Sequence, residues 1–250
     1  MARRYSIRDL KLLWGLAAAR CAFPECRQEL FAEESAEDSA VVLGEIAHIV
    51  ASGDEGPRAD PDFPSERRDS YENLILLCPN HHTLVDKQEG HYAVERLRNW
   101  KSEHERWVRE QLRHEMPNVS FAELEVLTRG LLNAPEPSSE DFKPLDPAEK
   151  MEKNDLTQRV HHQLTLGLSK AKEVGDFLAS FARVDPDFPE RIKAGFVQEY
   201  RQLSVRGVEG DALFEALRDF AAMGRRDFRY QAAGLTVLCY LFEACEVFEQ

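Results

Sequence analysis

Cys21 and Cys26, with four residues between them, and Cys78 and His81, with two between them, are two short-spaced pairs of soft donors in one chain. Each pair brings its ligands to one point through a tight turn. Together they make the Cys3His set of a closed tetrahedral zinc site. Such a site ties the knuckle around Cys21 to a segment beyond 51 intervening residues, and a small unit with little core of its own folds with the help of that tie. The competing reading is unrelated buried thiols, and the two paired short spacings favour zinc over it. His82 follows His81 directly, and neighbouring helical side chains point about 100° apart, so the two histidines serve different sites. Asp86 lies one helical turn after His82, on its face. An imidazole and a carboxylate at that spacing can grip one divalent cation and leave positions open for water and an anionic oxygen. A plain helix-surface pair is the alternative.

The elements that must position these residues follow from pattern. Residues 7–19 read as a short helix leading into the turn RCAFPEC. AVVLGEIAHIV, residues 40–50, is β-branched and apolar, as a strand requires, and residues 51–70 form a loop by their Gly, Pro and Asp content. NLILLC, residues 73–78, is a second strand, and a short helix over about 80–87 stops before Gly90. Val94, Leu97, Trp100, His104, Trp107 and Leu112 recur at helical spacing in an amphipathic helix. After residue 115 the character changes. Ser120 and Glu123 stand in capping-box spacing, and residues 133–150 form a Pro, Ser and acid-rich linker. Four helical segments follow, near 154–182, 188–204, 210–223 and 228–248. The last is apolar on most faces, which places it at the centre of a bundle with Cys239 and Cys245 as buried thiols. The expected fold class is α+β: a zinc-stabilised ββα unit over residues 1–115, a helix and linker over 116–150, and an all-α bundle over 151–250 that docks a partner or dimerises.

Composition limits the functional classes. The net charge is −13, shared as −6 over residues 1–115 and −7 over 116–250, so neither part is a basic DNA coater. Basic residues still bunch at Arg3, Arg4, Arg8 and Lys11, and again at Arg58, Arg67 and Arg68; these are either solvated surface or phosphate contacts. Five cysteines, an odd number, argue against a disulfide framework. No stretch has the length and apolarity of a membrane span or the pattern of a signal peptide, so a cytoplasmic protein is expected.

His48 on the first strand, Asn73 at the start of the second and His82 on the following helix, set between two zinc half-sites, resemble the HNH endonuclease family. The fold of that family is called ββα-metal or His-Me finger, and the resemblance covers about residues 4–112. It implies a nuclease that hydrolyses DNA phosphodiester bonds. His48 would be the general base, Asn73 would orient the loop that carries it, and His82 would bind a catalytic Mg2+ or Mn2+ alongside the structural Zn2+. Many family members carry a ligand just before the base, where this chain has Ala47; Glu45, on the same strand face two residues earlier, is the substitute. The C-terminal part resembles helical modules attached to effectors of bacterial multi-component defence systems that include an ATPase. That implies an anti-phage or restriction-type effector, regulated by a protein partner bound through residues 151–250 or by self-association. The alternative is a zinc-stabilised DNA- or protein-binding module with a degenerate nuclease site.

Overall fold

Ser6 opens the first helix, α1 (Ile7–Leu16), by accepting the Asp9 N–H at 3.0 Å. The computed structural model describes residues 5–32, 39–131, 147–244 and 248; Arg3, Arg4, Cys245 and most of the expected linker lie outside them. The chain divides into two compact units, 1–110 and 111–250.

In the first unit α1 ends sooner than the apolar run through Ala19 implies. Ala18 and Ala19 take left-handed backbone, φ 50° and 49°, and turn the chain into the cysteine knuckle. The single strand expected over residues 40–50 is broken at Gly44. Val41–Val42 (β2) pairs with Phe31–Ala32 (β1), whereas Glu45–His48 (β3) pairs with Leu74–Leu77 (β4). The break lies where the backbone crosses a ring. A Cβ on Gly44 would meet the Trp14 indole at 2.8 Å and the Leu30 side chain at 3.0 Å, so glycine is needed there and the strand bends around it. β3 and β4 are antiparallel, with Glu45 opposite Leu77 and His48 opposite Leu74. All four residues of β4 are buried, and helix α2 (Pro79–Lys87) follows at once with Cys78 as its N-cap and Pro79 in its first turn. Helix α3 (Val94–Glu115) buries Leu97, His104 and Leu112 of the predicted stripe, and Val108 outside it, while Val94, Trp100 and Trp107 are half-buried.

The second unit is helical among its described residues: α4 (Phe121–Leu131), α5 (Pro147–Lys153), α6 (Gln158–Leu168), α7 (Ala171–Ala182), α8 (Phe188–Val205), α9 (Gly210–Ala221) and α10 (Phe228–Ala244). The segment expected as one helix from 154 to 182 is two, α6 and α7, separated at Ser169 and Lys170, and the Ser169 hydroxyl donates to the Leu166 carbonyl at 2.6 Å. α10 is buried from Gln231 through Cys239 and packs on α4, α6, α7 and α9, the central position its apolar sequence calls for. The result is α+β: a ββα region (β3, β4, α2) that carries a Cys/His cluster, followed by helices.

Candidate functional site

Cys21, Cys26, Cys78 and His81 converge as their spacing requires, with one ligand atom from each lying within 4.8 Å of all the others. Cys21 Sγ is 3.7 Å from His81 Nδ1, and Cys78 Sγ is 3.1 Å from it. A tetrahedron with metal–sulfur and metal–nitrogen bonds of zinc length has edges of about 3.5–3.8 Å, so the four atoms fit such an ion after small adjustments. Backbone bonds hold the knuckle in place. Ala22 N–H donates to Leu76 O at 2.9 Å, joining it to β4, and Cys78 N–H points at Cys21 Sγ at 3.3 Å. The Phe23 ring stacks on His81 with centroids 3.8 Å apart, and Trp100 of α3 meets Phe23 edge-on at 4.9 Å. Burial pushes the Cys21 thiol up to about 12 and holds His81 below its ordinary value. Without a cation Cys21 keeps its proton on sulfur; a bound divalent ion would displace it.

His48 ends β3 with its side chain 9 % exposed. Its Nε2 meets Asp69 Oδ1 at 2.8 Å, and the Tyr5 ring lies 5.9 Å from its own. Asn73, 3 % exposed, clamps the backbone just beyond it. Asn73 Oδ1 accepts the Val50 N–H at 2.9 Å, Nδ2 donates to the Val50 and Arg68 carbonyls at 2.8 Å each, and Asn73 O accepts the Ile49 N–H at 2.8 Å. An amide with both donors and its acceptor engaged fixes a loop in one shape.

His82 projects from α2 between two carboxylates. Its Nδ1 meets Glu45 Oε2, and its Nε2 lies 3.3 Å from Asp86 Oδ2. The Asp86 carboxylate chiefly, and Glu45 with it, raises the His82 pKa. Burial works to raise that of Asp86, but its bonds to His82 and Arg58 prevail and hold it below the ordinary carboxylate value. Glu45 thus stands beside His82, as the substitute for Ala47 must, while Ala47 itself is fully buried against β4.

The expected phosphate-contacting arginines separate here. Arg58 and Arg68 give way to internal roles, because their guanidinium groups turn inward and donate to several partners inside the unit. Arg58 reaches the carbonyls of His48, Ile49 and Val85 as well as Asp86. Arg68 binds Ala51 O at 3.0 Å, Asp60 O at 3.1 Å and Asp54 at 2.9 Å. Arg67 is exposed, its guanidinium 5.9 Å from the Phe63 ring. Asp69 escaped the sequence reading, since an acid in an acid-rich loop carries no sign of the histidine 21 residues before it.

Residues 21–89, from the first cysteine of the cluster to just beyond α2, match a family model described as HNH endonuclease. That segment contains both pairs of cluster ligands, His48, Asn73 and His82, and the match supports a nuclease-type function. No curated protein shows a significant match to the chain. Among the described residues no helix is long and apolar enough to cross a membrane.

Proposed function

We propose that the chain is a metal-dependent HNH endonuclease that hydrolyses DNA phosphodiester bonds, with Zn2+ at Cys21, Cys26, Cys78 and His81. The observation that carries this reading is one connected site: His48 on β3, its loop clamped by Asn73, joined through Arg58 and Asp86 to His82 on α2. His48 is the general base, an imidazole able to take a proton from water near neutral pH. Asp69 holds the ring from its Nε2 side. His82 and Glu45 would hold Mg2+ or Mn2+, with Asp86 Oδ2 behind the imidazole on its Nε2 side; once bound, the ion would supply Lewis acidity toward the scissile phosphate. Arg67, with Arg3 and Arg4, is left to meet the DNA backbone. With −6 on residues 1–115, affinity for DNA alone is low, which favours delivery or activation by a protein partner through residues 151–250, as in a cytoplasmic defence effector.

The test is supercoiled plasmid incubated with the full chain and Mg2+ or Mn2+, with and without proteins encoded beside it. His48→Ala should lower the rate by about 10²-fold or more while zinc content and melting stay put. A variant as fast as the parent places the base elsewhere. The buried Ala47, standing where many HNH enzymes have a ligand, favours a second reading: a zinc-stabilised DNA- or protein-binding module. Absence of cleavage with every metal and neighbour would select it.

A further inference from the structure

Arg58 has φ +59°, left-handed backbone in which a residue with a Cβ stands at a cost of roughly 1–2 kcal/mol that glycine would avoid. The position keeps an arginine nonetheless, and its side chain is 4 % exposed. Its guanidinium makes four bonds to two separate elements. Nε donates to Ile49 O at 2.9 Å and Nη2 to His48 O at 2.9 Å, at the end of β3. Nη1 donates to Val85 O at 2.6 Å and Nη2 to Asp86 Oδ1 at 2.7 Å, on α2. The Arg58 N–H is itself fixed by Glu89 Oε2 at 2.8 Å, just past the helix. One planar fork therefore spans the strand end that presents His48 and the helix turn that presents His82.

We propose that Arg58 is the positioning residue of this site: it sets the separation of His48 from His82 and turns the His82 ring through Asp86. This rests on the nuclease reading above. The carbonyls of His48 and Ile49 cannot shift along β3 without breaking bonds to the guanidinium, and α2 cannot rotate without pulling Asp86 away from it. Asp86 has its other oxygen on His82 Nε2 and transmits the constraint to the ring. A carboxylate behind a metal-binding imidazole fixes which nitrogen is offered to the ion. Lysine would offer a single point of charge in place of the fork and could not bridge both elements.

The experiment compares the full chain with Arg58→Lys and Arg58→Ala. Zinc content and melting are measured first, then kcat and KM on plasmid, then Mn2+ affinity of the zinc-loaded protein by electron paramagnetic resonance. The expected result for Arg58→Lys is retained zinc and cooperative melting, KM for plasmid nearly unchanged, and kcat and Mn2+ affinity each lower by about 10- to 100-fold. Methylguanidinium added to Arg58→Ala should restore part of the lost kcat. Variants that cleave and bind Mn2+ like the parent overturn the proposal. So does loss of zinc and cooperative melting in Arg58→Lys, which would make Arg58 a structural tie. If the parent binds Mn2+ but cleaves nothing, the nuclease reading fails on its own, and weaker Mn2+ binding by Arg58→Lys still supports the positioning role. If the parent neither cleaves nor binds Mn2+, both fall.

Discussion

Acidification should destabilise the first unit through His104, a histidine that takes no part in the proposed chemistry. Its ring is 1 % exposed on α3, with Nε2 donating to Ala17 O at 3.0 Å and Nδ1 turned to the Arg27 guanidinium. Burial first, and the charge of Arg27 beside it, lower its pKa from 6.5 to about 4. A proton on Nδ1 would replace an acceptor with a donor facing a cation. The folded chain therefore holds this histidine neutral, and the stability it contributes is complete above 6.5 and is lost as pH falls toward 4. Integrating proton uptake by the unfolded chain over that window gives about 2 kcal/mol lost between neutral pH and pH 5. The assay is urea unfolding followed by tryptophan fluorescence. All three tryptophans, Trp14, Trp100 and Trp107, belong to the first unit, so the signal reports on it alone. His104→Gln keeps a donor toward Ala17 O but cannot titrate. It should start less stable and lose about 2 kcal/mol less than the parent on acidification. Zinc release at low pH affects both proteins alike and drops out of the difference. Parallel loss in parent and variant would refute the reasoning.

Replacing Cys78 by Ser should release about one zinc per chain and destabilise the first unit, because closing the site is linked to folding; metal analysis beside melting checks it. His81→Ala and His82→Ala should part company: the first loses zinc, whereas the second keeps zinc and loses cleavage, and identical zinc contents would contradict two separate sites. Gly44→Ala forces a methyl to within 2.8 Å of Trp14 and should cost about 1–3 kcal/mol by urea unfolding. Removing the Arg218 side chain as Arg218→Met leaves the fully buried Glu215 without its cation. That should cost about 3–5 kcal/mol, read by calorimetry of the full chain.

The cluster ligands were legible because zinc chemistry imposes short spacings that survive any intervening loop. α3 and α10 were legible because a buried stripe, or a helix buried all round, writes its period into ten or more residues. The break at Gly44 was not, since a β-branched run with one glycine reads as a strand until the ring of Trp14 is known to pass beneath it. Arg58 and Arg68 read as surface cations in the sequence for a related reason. Their partners are mostly backbone carbonyls, which every residue carries and no sequence pattern marks. Asp69 was invisible on the same ground: its pairing with His48 is made by the fold, across a loop of Gly, Pro and acids.

Cys78 is both a ligand of the cluster and the N-cap of α2. A bound ion would thus set the rotational phase of the helix as well as its place. Each residue of an α-helix advances the side chains by about 100°, so deleting one residue between Cys78 and His81 would turn His82 into the thiolate cluster and carry Asp86 away from Arg58. The connection from Ala32 to Val41, which links two paired strands, obeys a different rule, because doubling the length of a closed loop costs only about 0.6 kcal/mol. The chain therefore combines a stretch of four residues that tolerates no change of length with one that tolerates a great deal. Variation among descendants of this sequence should accumulate accordingly, with insertions gathering before Gly44 and none entering between Cys78 and His82.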